Sequence, residues 1–266
     1  MARVEMASER TFYAVAALVF AASAALTIAW SMAMTAMGGM EMPGGWTMAM
    51  MWMRMGGASW GHLAASFLVM WMVMMAAMML PALVAMLRRY RAALGRVGAV
   101  RRAGLTALVA AGYFLVWAMF GVIAFALGAA LAEAAMQSPA LAQAVPAATG
   151  LVVLLAGAFQ FTAWKVHHLA CCRELPRQDR SLPDDAGTAW RHGLRLGRQC
   201  SLCCANLMMI LLVVGIMDLA AMAAVTMAIT VERLAPAGMQ AAHVIGAVCI
   251  GAGLFLFFDN ILVLTN

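Results

Sequence analysis

Long unbroken apolar runs dominate the chain, in place of the alternation of a half-buried strand or the one-sided stripe of a surface helix. About 20 apolar residues cover roughly 30 Å of hydrocarbon. Six runs reach that length, at about 11–31, 60–87, 104–132, 147–166, 200–229 and 240–264. The pattern predicts an all-α fold: a polytopic integral membrane bundle of six transmembrane helices, built as one domain over residues 1–266. Between the runs it predicts a methionine-rich outer loop over about 32–59 and a Cys/His-containing inner loop over about 165–199. Runs longer than a bilayer needs imply tilt or extension beyond it.

Composition agrees. Hydrophobic residues make up 66% and charged residues 11%, against about 45–50% and about 25% in soluble domains. That excludes a soluble globule and a disordered chain alike. The formal net charge of +6 reports topology before it reports a partner, and no nucleic-acid partner is expected. Arg88, Arg89, Arg91, Arg96, Arg101 and Arg102 crowd one linker. Lys165, Arg173, Arg177, Arg180, Arg191, Arg195 and Arg198 crowd another. With Arg3 and Arg10 these place fifteen of the 17 basic residues on the cytoplasmic side and leave Arg54 and Arg233 outside. Both termini are then expected in the cytoplasm. Trp30, Trp46, Trp52 and Trp60 fit an outer interfacial belt and Trp164 an inner one. The first run contains Ala22-Ser23-Ala24 but stays apolar as far as Trp30, so it reads as an uncleaved anchor.

Three regions depart from what a plain bundle needs. The outer segment holds Met32, Met34, Met37, Met40, Met42, Met48, Met50, Met51, Met53 and Met55 among Gly38, Gly39, Pro43, Gly44 and Gly45. Glycine and proline predict a flexible loop there. Its thioethers are soft, uncharged donors that select Cu(I), or else adaptable apolar filler. In the second run Met70, Met74 and Met78 recur every fourth residue, as do Met75 and Met79. Each set stacks along one helix face, ending at a kink expected at Pro81. Met208 falls at a comparable depth on the fifth run, as does Met209.

The third region carries the most chemistry. Lys165-Val166-His167-His168-Leu169-Ala170-Cys171-Cys172 closes the fourth helix, and Cys200-Ser201-Leu202-Cys203-Cys204 opens the fifth. Thiols at the reducing cytoplasmic face point to metal binding ahead of disulfides. His168 and Cys172 lie four apart on one face and could close a site with Cys200, Cys203 or Cys204; His167, Cys171 and His192 stand in reserve. Met217 and Asp218 are expected near the outer surface, Asp218 about 27 Å from Cys200 by helical rise. Intramembrane ionisable residues are functional candidates by default. Asp259 reads instead as a capping or interfacial group near the inner end of the last run, and Glu133, Glu232 and His243 as outer-interface residues.

Ala77-Met78-Met79-x-Pro81, Gly112-Tyr113, Trp117, Gln160-x-Thr162-x-x-Lys165, Cys172-Arg173, Gly197-x-x-Cys200-x-x-Cys203-Cys204-x-x-Leu207-Met208, Gly215-x-Met217 and Glu232 together resemble a bacterial family of predicted metal-binding integral membrane proteins. The resemblance covers roughly 60–236, and it departs at His168 and Ala205, where that family more usually has cysteine and tryptophan. It implies a multi-pass protein of the bacterial inner membrane that binds a metal.

The expected function is Cu(I) handling by uptake, delivery to a membrane cuproenzyme or storage, through Met74, Met78, Met79, Met208, Met217, Asp218, His168, Cys172, Cys200, Cys203 and Cys204. Cu(I) is preferred to zinc, and non-enzymatic handling to catalysis. The implied partners are the lipid bilayer, a copper chaperone or a cuproenzyme, and further subunits. The alternatives are a thiol redox protein cycling Cys200 and Cys203, and a structural or assembly subunit whose methionines only pack.

Overall fold

The computed structural model describes residues 2–52, 57, 59–95, 97–173 and 183–265. Met53, Arg54, Met55, Arg96, Arg177 and Arg180 lie outside the described residues, as do the side chains of Arg3, Met50 and Arg173. In chain order the elements are α1 (Ala2–Met37), β1 (Gly39–Met42), β2 (Trp46–Ala49), a 3-10 turn (Met50–Trp52), α2 (Trp60–Ala93), α3 (Ala99–Gln137), α4 (Pro139–Phe159), α5 (Ala163–Arg173), α6 (Ala186–Val214), α7 (Leu219–Leu234) and α8 (Gly238–Thr265). The fold is all-α apart from one small hairpin. Among the described residues six helices, α1, α2, α3, α4, α6 and α8, are long and apolar enough to cross a membrane.

Side chains at the helix starts take up backbone donors that would otherwise be orphaned. Ser59 caps α2 by accepting from the His62 amide, and Ser138 caps α4 just before Pro139. Asp185 caps α6 through the Thr188 amide at 2.8 Å, and its bonds to Thr188 hold that exposed carboxyl below its ordinary pKa. α2 continues through Pro81 to Ala93.

Two predicted runs are interrupted. The fourth ends as α4 at Phe159, and after a turn at Gln160–Thr162 the chain restarts as α5. The run at 200–229 is two helices. α6 stops where Gly215 adopts φ +142°, a conformation essentially reserved for glycine. Asp218 then caps α7 through the Ala221 amide at 2.7 Å. From Cys200 to the end of α6, and from the start of α7 to Arg233, the helical rise is about 21 Å each way. α7 therefore doubles back to the depth of the cysteines.

That reversal corrects the expected topology. Arg91 at the end of α2 pairs with Glu9 near the start of α1 at 2.9 Å, and Tyr90 stacks on His192 near the start of α6. These mark a basic end of the bundle. Ser31 near the end of α1 donates to the Met217 carbonyl at 2.6 Å, which marks the opposite, methionine-rich end. α8 runs antiparallel to α4, with Gly246 against Gln160 and Phe161, Gly253 against Leu154 and Gly150 against Phe257. It thus begins at the basic end and finishes at the methionine-rich end. The start of α1 and the end of α8 lie at opposite ends of the bundle, contrary to the expectation of both on one side. Arg233 and Glu232 belong near the basic end, as does His243, which stacks on Phe161 with ring centroids 5.2 Å apart. Asp259 moves to the other end with α8.

The methionine-rich segment is also more ordered than expected. β1 and β2 pair antiparallel, with Met40 opposite Met48 and Met42 opposite Trp46. Gly44 and Gly45, both at positive φ, make the turn. Met42 and Met48 pack on Ala132, Ala135 and Ala142, and the Trp46 indole N–H donates to the Ala142 carbonyl at 2.8 Å. Met32, Met37 and Met40 are exposed.

α3 and α6 run parallel in close backbone contact through glycines. A Cβ at Gly193 would strike the Val109 carbonyl, one at Gly112 the Trp190 carbonyl and one at Gly197 the Tyr113 carbonyl. Small residues at helix crossings allow this approach. Gly193→Ala is expected to cost about 1–3 kcal/mol by overpacking and to push Tyr113 away from α6, read as a lower unfolding temperature of the purified chain in detergent.

Candidate metal centre

The cysteines of α5 and α6 meet at the basic side of the core. Cys200, Cys203 and Cys204 are wholly buried and Cys172 is 6% exposed. All four belong to one buried core cluster. The Cys172 thiol donates to the Gln199 carbonyl at 3.4 Å. Convergence of two separate helix ends, on which the whole reading of this region depends, is therefore present. As arranged, these sulfurs do not close around a single point. Among the described residues no three His, Cys, Asp or Glu side chains surround one point closely enough to hold a metal ion.

A thioether sulfur joins them. The Cys200 thiol donates to the Met79 sulfur at 4.0 Å, so one methionine ladder of α2 touches the cysteines directly. Met74, Met78 and Met208 are buried in the same core cluster as Cys200, Cys203 and Cys204. Donors this soft and polarizable suit Cu(I) and fit hard ions poorly.

The other predicted residues lie elsewhere. His168 packs against Trp164, ring centroids 4.5 Å apart, and against His167. The His167 imidazole Nε2 lies 3.8 Å from the Cys171 sulfur on the same face of α5. Met217 and Asp218 occupy the turn between α6 and α7 at the far end of the bundle, and Asp218 acts there as a helix cap. Cys249 is half-buried on α8.

Four residues that sequence reasoning left out of the centre complete it. Arg233, 5% exposed, donates from Nη1 to the Cys200 sulfur at 2.8 Å and from Nη2 to the Met86 sulfur at 3.2 Å. The Tyr113 hydroxyl lies 3.0 Å from the Cys200 sulfur. Behind the thiols, Lys165 and Glu232 form an ion pair at 2.7 Å with both side chains 0% exposed. Lys165 also donates to the Cys203 carbonyl at 2.9 Å, and the Gln160 amide donates to the other Glu232 oxygen at 2.7 Å. Glu232 and Arg233, adjacent in sequence at the end of α7, thus reach α5 and α6 respectively. The sequence signal was available: two adjacent charges that end an apolar helix and share a motif with Lys165.

The structure is thus a bundle of long apolar helices enclosing buried thiols and thioethers. The family model described as PpoB2, a copper chaperone, matches residues 68–256, and the chain belongs to that family. The matched stretch contains every cysteine and the methionines of α2 from Met70 onward, and it excludes α1 and the β-hairpin. No curated protein and no solved structure matched the chain.

The buried pair has a measurable signature. Lys165→Met leaves Glu232 as an uncompensated buried charge and is expected to cost about 3–5 kcal/mol, whereas Lys165→Met combined with Glu232→Gln recovers most of that loss. Chemical unfolding of both variants in detergent reads the difference.

Proposed function

We propose that this chain is a membrane-embedded Cu(I) carrier whose cargo is held at the sulfur row of Cys172, Cys200, Cys203, Cys204 and Met79. The observation that carries the reading is the burial of four cysteines from α5 and α6 in one cluster with a thioether of α2, in a chain of a copper chaperone family. Cu(I) accepts two or three soft ligands and needs no closed tetrahedron, so a row of donors can pass it from sulfur to sulfur. Met74, Met78 and Met208 continue that row into the bundle. His168, one helical turn before Cys172 on α5 and stacked on Trp164, is left outside the proposed site. The exposed Met32, Met37 and Met40 offer a weaker collecting surface at the other end, next to the turn that holds Met217 and Asp218.

The six long helices lie in a bacterial inner membrane with the basic end in the cytoplasm. The start of α1 then faces the cytoplasm and the end of α8 the outer side. Reporter fusions at the two ends are expected to give opposite signals, and signals of one kind would reject this topology. The recipient is an apo-cuproprotein or a soluble copper chaperone that meets the chain at the cysteine end.

Metal analysis of the purified chain tests the central claim. Bound copper is expected to fall to less than half in Cys200→Ser and Cys203→Ser, and less steeply in Cys172→Ser. Replacing Met32, Met37 and Met40 together by leucine is expected to leave the cysteine-bound ion in place while slowing its loading. Copper retained in all three cysteine variants would reject the site. Zinc in place of copper would make it structural.

A further inference from the structure

We propose that Arg233 sets the charge selectivity of the sulfur row, admitting a monovalent soft ion and rejecting divalent ones. The inference rests on the Cu(I) reading above and adds to it the residue that makes the choice. Among the described residues, the buried charged side chains beside these sulfurs are Lys165, Arg233 and Glu232, at 0%, 5% and 0% exposure. Two cations face one carboxylate. Lys165 and Glu232 neutralise one another at 2.7 Å, which leaves the Arg233 guanidinium as the net fixed charge. It sits 2.8 Å from the Cys200 sulfur and 3.2 Å from that of Met86. Arginine stays protonated in proteins, so this charge cannot be shed.

A metal bonded to Cys200 at about 2.3 Å, the usual zinc–thiolate distance, is therefore no more than about 5 Å from Nη1. At an effective dielectric of about 20, each unit of metal charge at that separation is disfavoured on the order of a hundredfold. Cu(I) meets this penalty once and Zn(II) twice. Thiolates bind both ions well in isolation, so softness of the donors alone leaves zinc a competitor. A guanidinium planted among them removes it. Methionine adds to the effect, since the neutral Met79 donor supplies a bond without the negative charge a divalent ion needs.

The test uses the full chain in detergent under reducing, oxygen-free conditions, with chromogenic chelators competing for Cu(I) and, separately, for Zn(II). Wild type is expected to hold Cu(I) and lose Zn(II). Arg233→Gln, which removes the charge and adds no sulfur, is expected to shift the zinc-to-copper affinity ratio toward zinc on the order of a hundredfold. Arg233→Lys, which keeps the charge, is expected to stay near wild type. Glu232→Gln leaves Arg233 in place and raises the net charge by one, so its ratio should move the opposite way. This second variant keeps the test decisive if Arg233→Gln fails to purify as a folded chain. An unchanged ratio in either charge variant overturns the inference, as does an Arg233→Lys chain that behaves like Arg233→Gln. A wild type that binds Cu(I) and Zn(II) equally overturns the inference and leaves the copper site standing. A wild type that binds no Cu(I) takes down the site and the inference together.

Discussion

Burying a guanidinium, an ammonium and a carboxylate inside an apolar bundle is affordable only when each finds a partner at bonding distance. Glu232 and Arg233 meet that constraint by looking in opposite directions from the end of α7: one to Lys165 and Gln160, the other to Cys200 and Met86. The rest of the sulfur site follows from it. α7 must turn back at Gly215 to bring these charges to the cysteines. α5 must lie where Lys165 can reach both Glu232 and the Cys203 carbonyl, and that placement brings the Cys172 thiol to the Gln199 carbonyl on α6. The ion pair is thus scaffolding for thiol placement.

Apolar packing around the site does different work. Lipid is as apolar as leucine, so helices gain little from hiding hydrophobic surface and depend on close contact. α3 and α6 obtain it through Gly112, Gly193 and Gly197, which let the Tyr113 hydroxyl reach within 3.0 Å of Cys200. The methionines of α2 fill the opposite side. Their thioethers pack like hydrocarbon and still present a donor, so Met79 can be core and candidate ligand at once.

Much of this was legible in the chain. Apolar run length found five of the six long helices, with ends up to about nine residues away, and five cysteines at two helix ends pointed to the centre. What escaped was set by single residues or by tertiary context. Gly215 reads as an ordinary glycine within an apolar run, yet its φ of +142° splits that run and reverses everything after it. With the extra passage unseen, Glu232, Arg233 and His243 were assigned to the wrong end. The ring of His168 shares a helix with Cys172 at the spacing of one turn, but Trp164 one turn earlier offers a stacking partner. The methionine-rich segment looked loop-like because glycine and proline break helices; the same residues make a tight hairpin turn, and alternation along the short strands buries Met42 and Met48.

The four thiols stand on unequal foundations. Cys200, Cys203 and Cys204 share one helix, seated against α3 by glycine-to-backbone contacts, whereas Cys172 belongs to an eleven-residue helix joined to the centre chiefly through long side chains. It is also the one of the four with any measurable accessibility. Under the proposed carrier function, a soluble protein presenting its own thiol would reach the cysteines with least disturbance along that margin, and unloading would run from the firmly mounted sulfurs to the loosely mounted one.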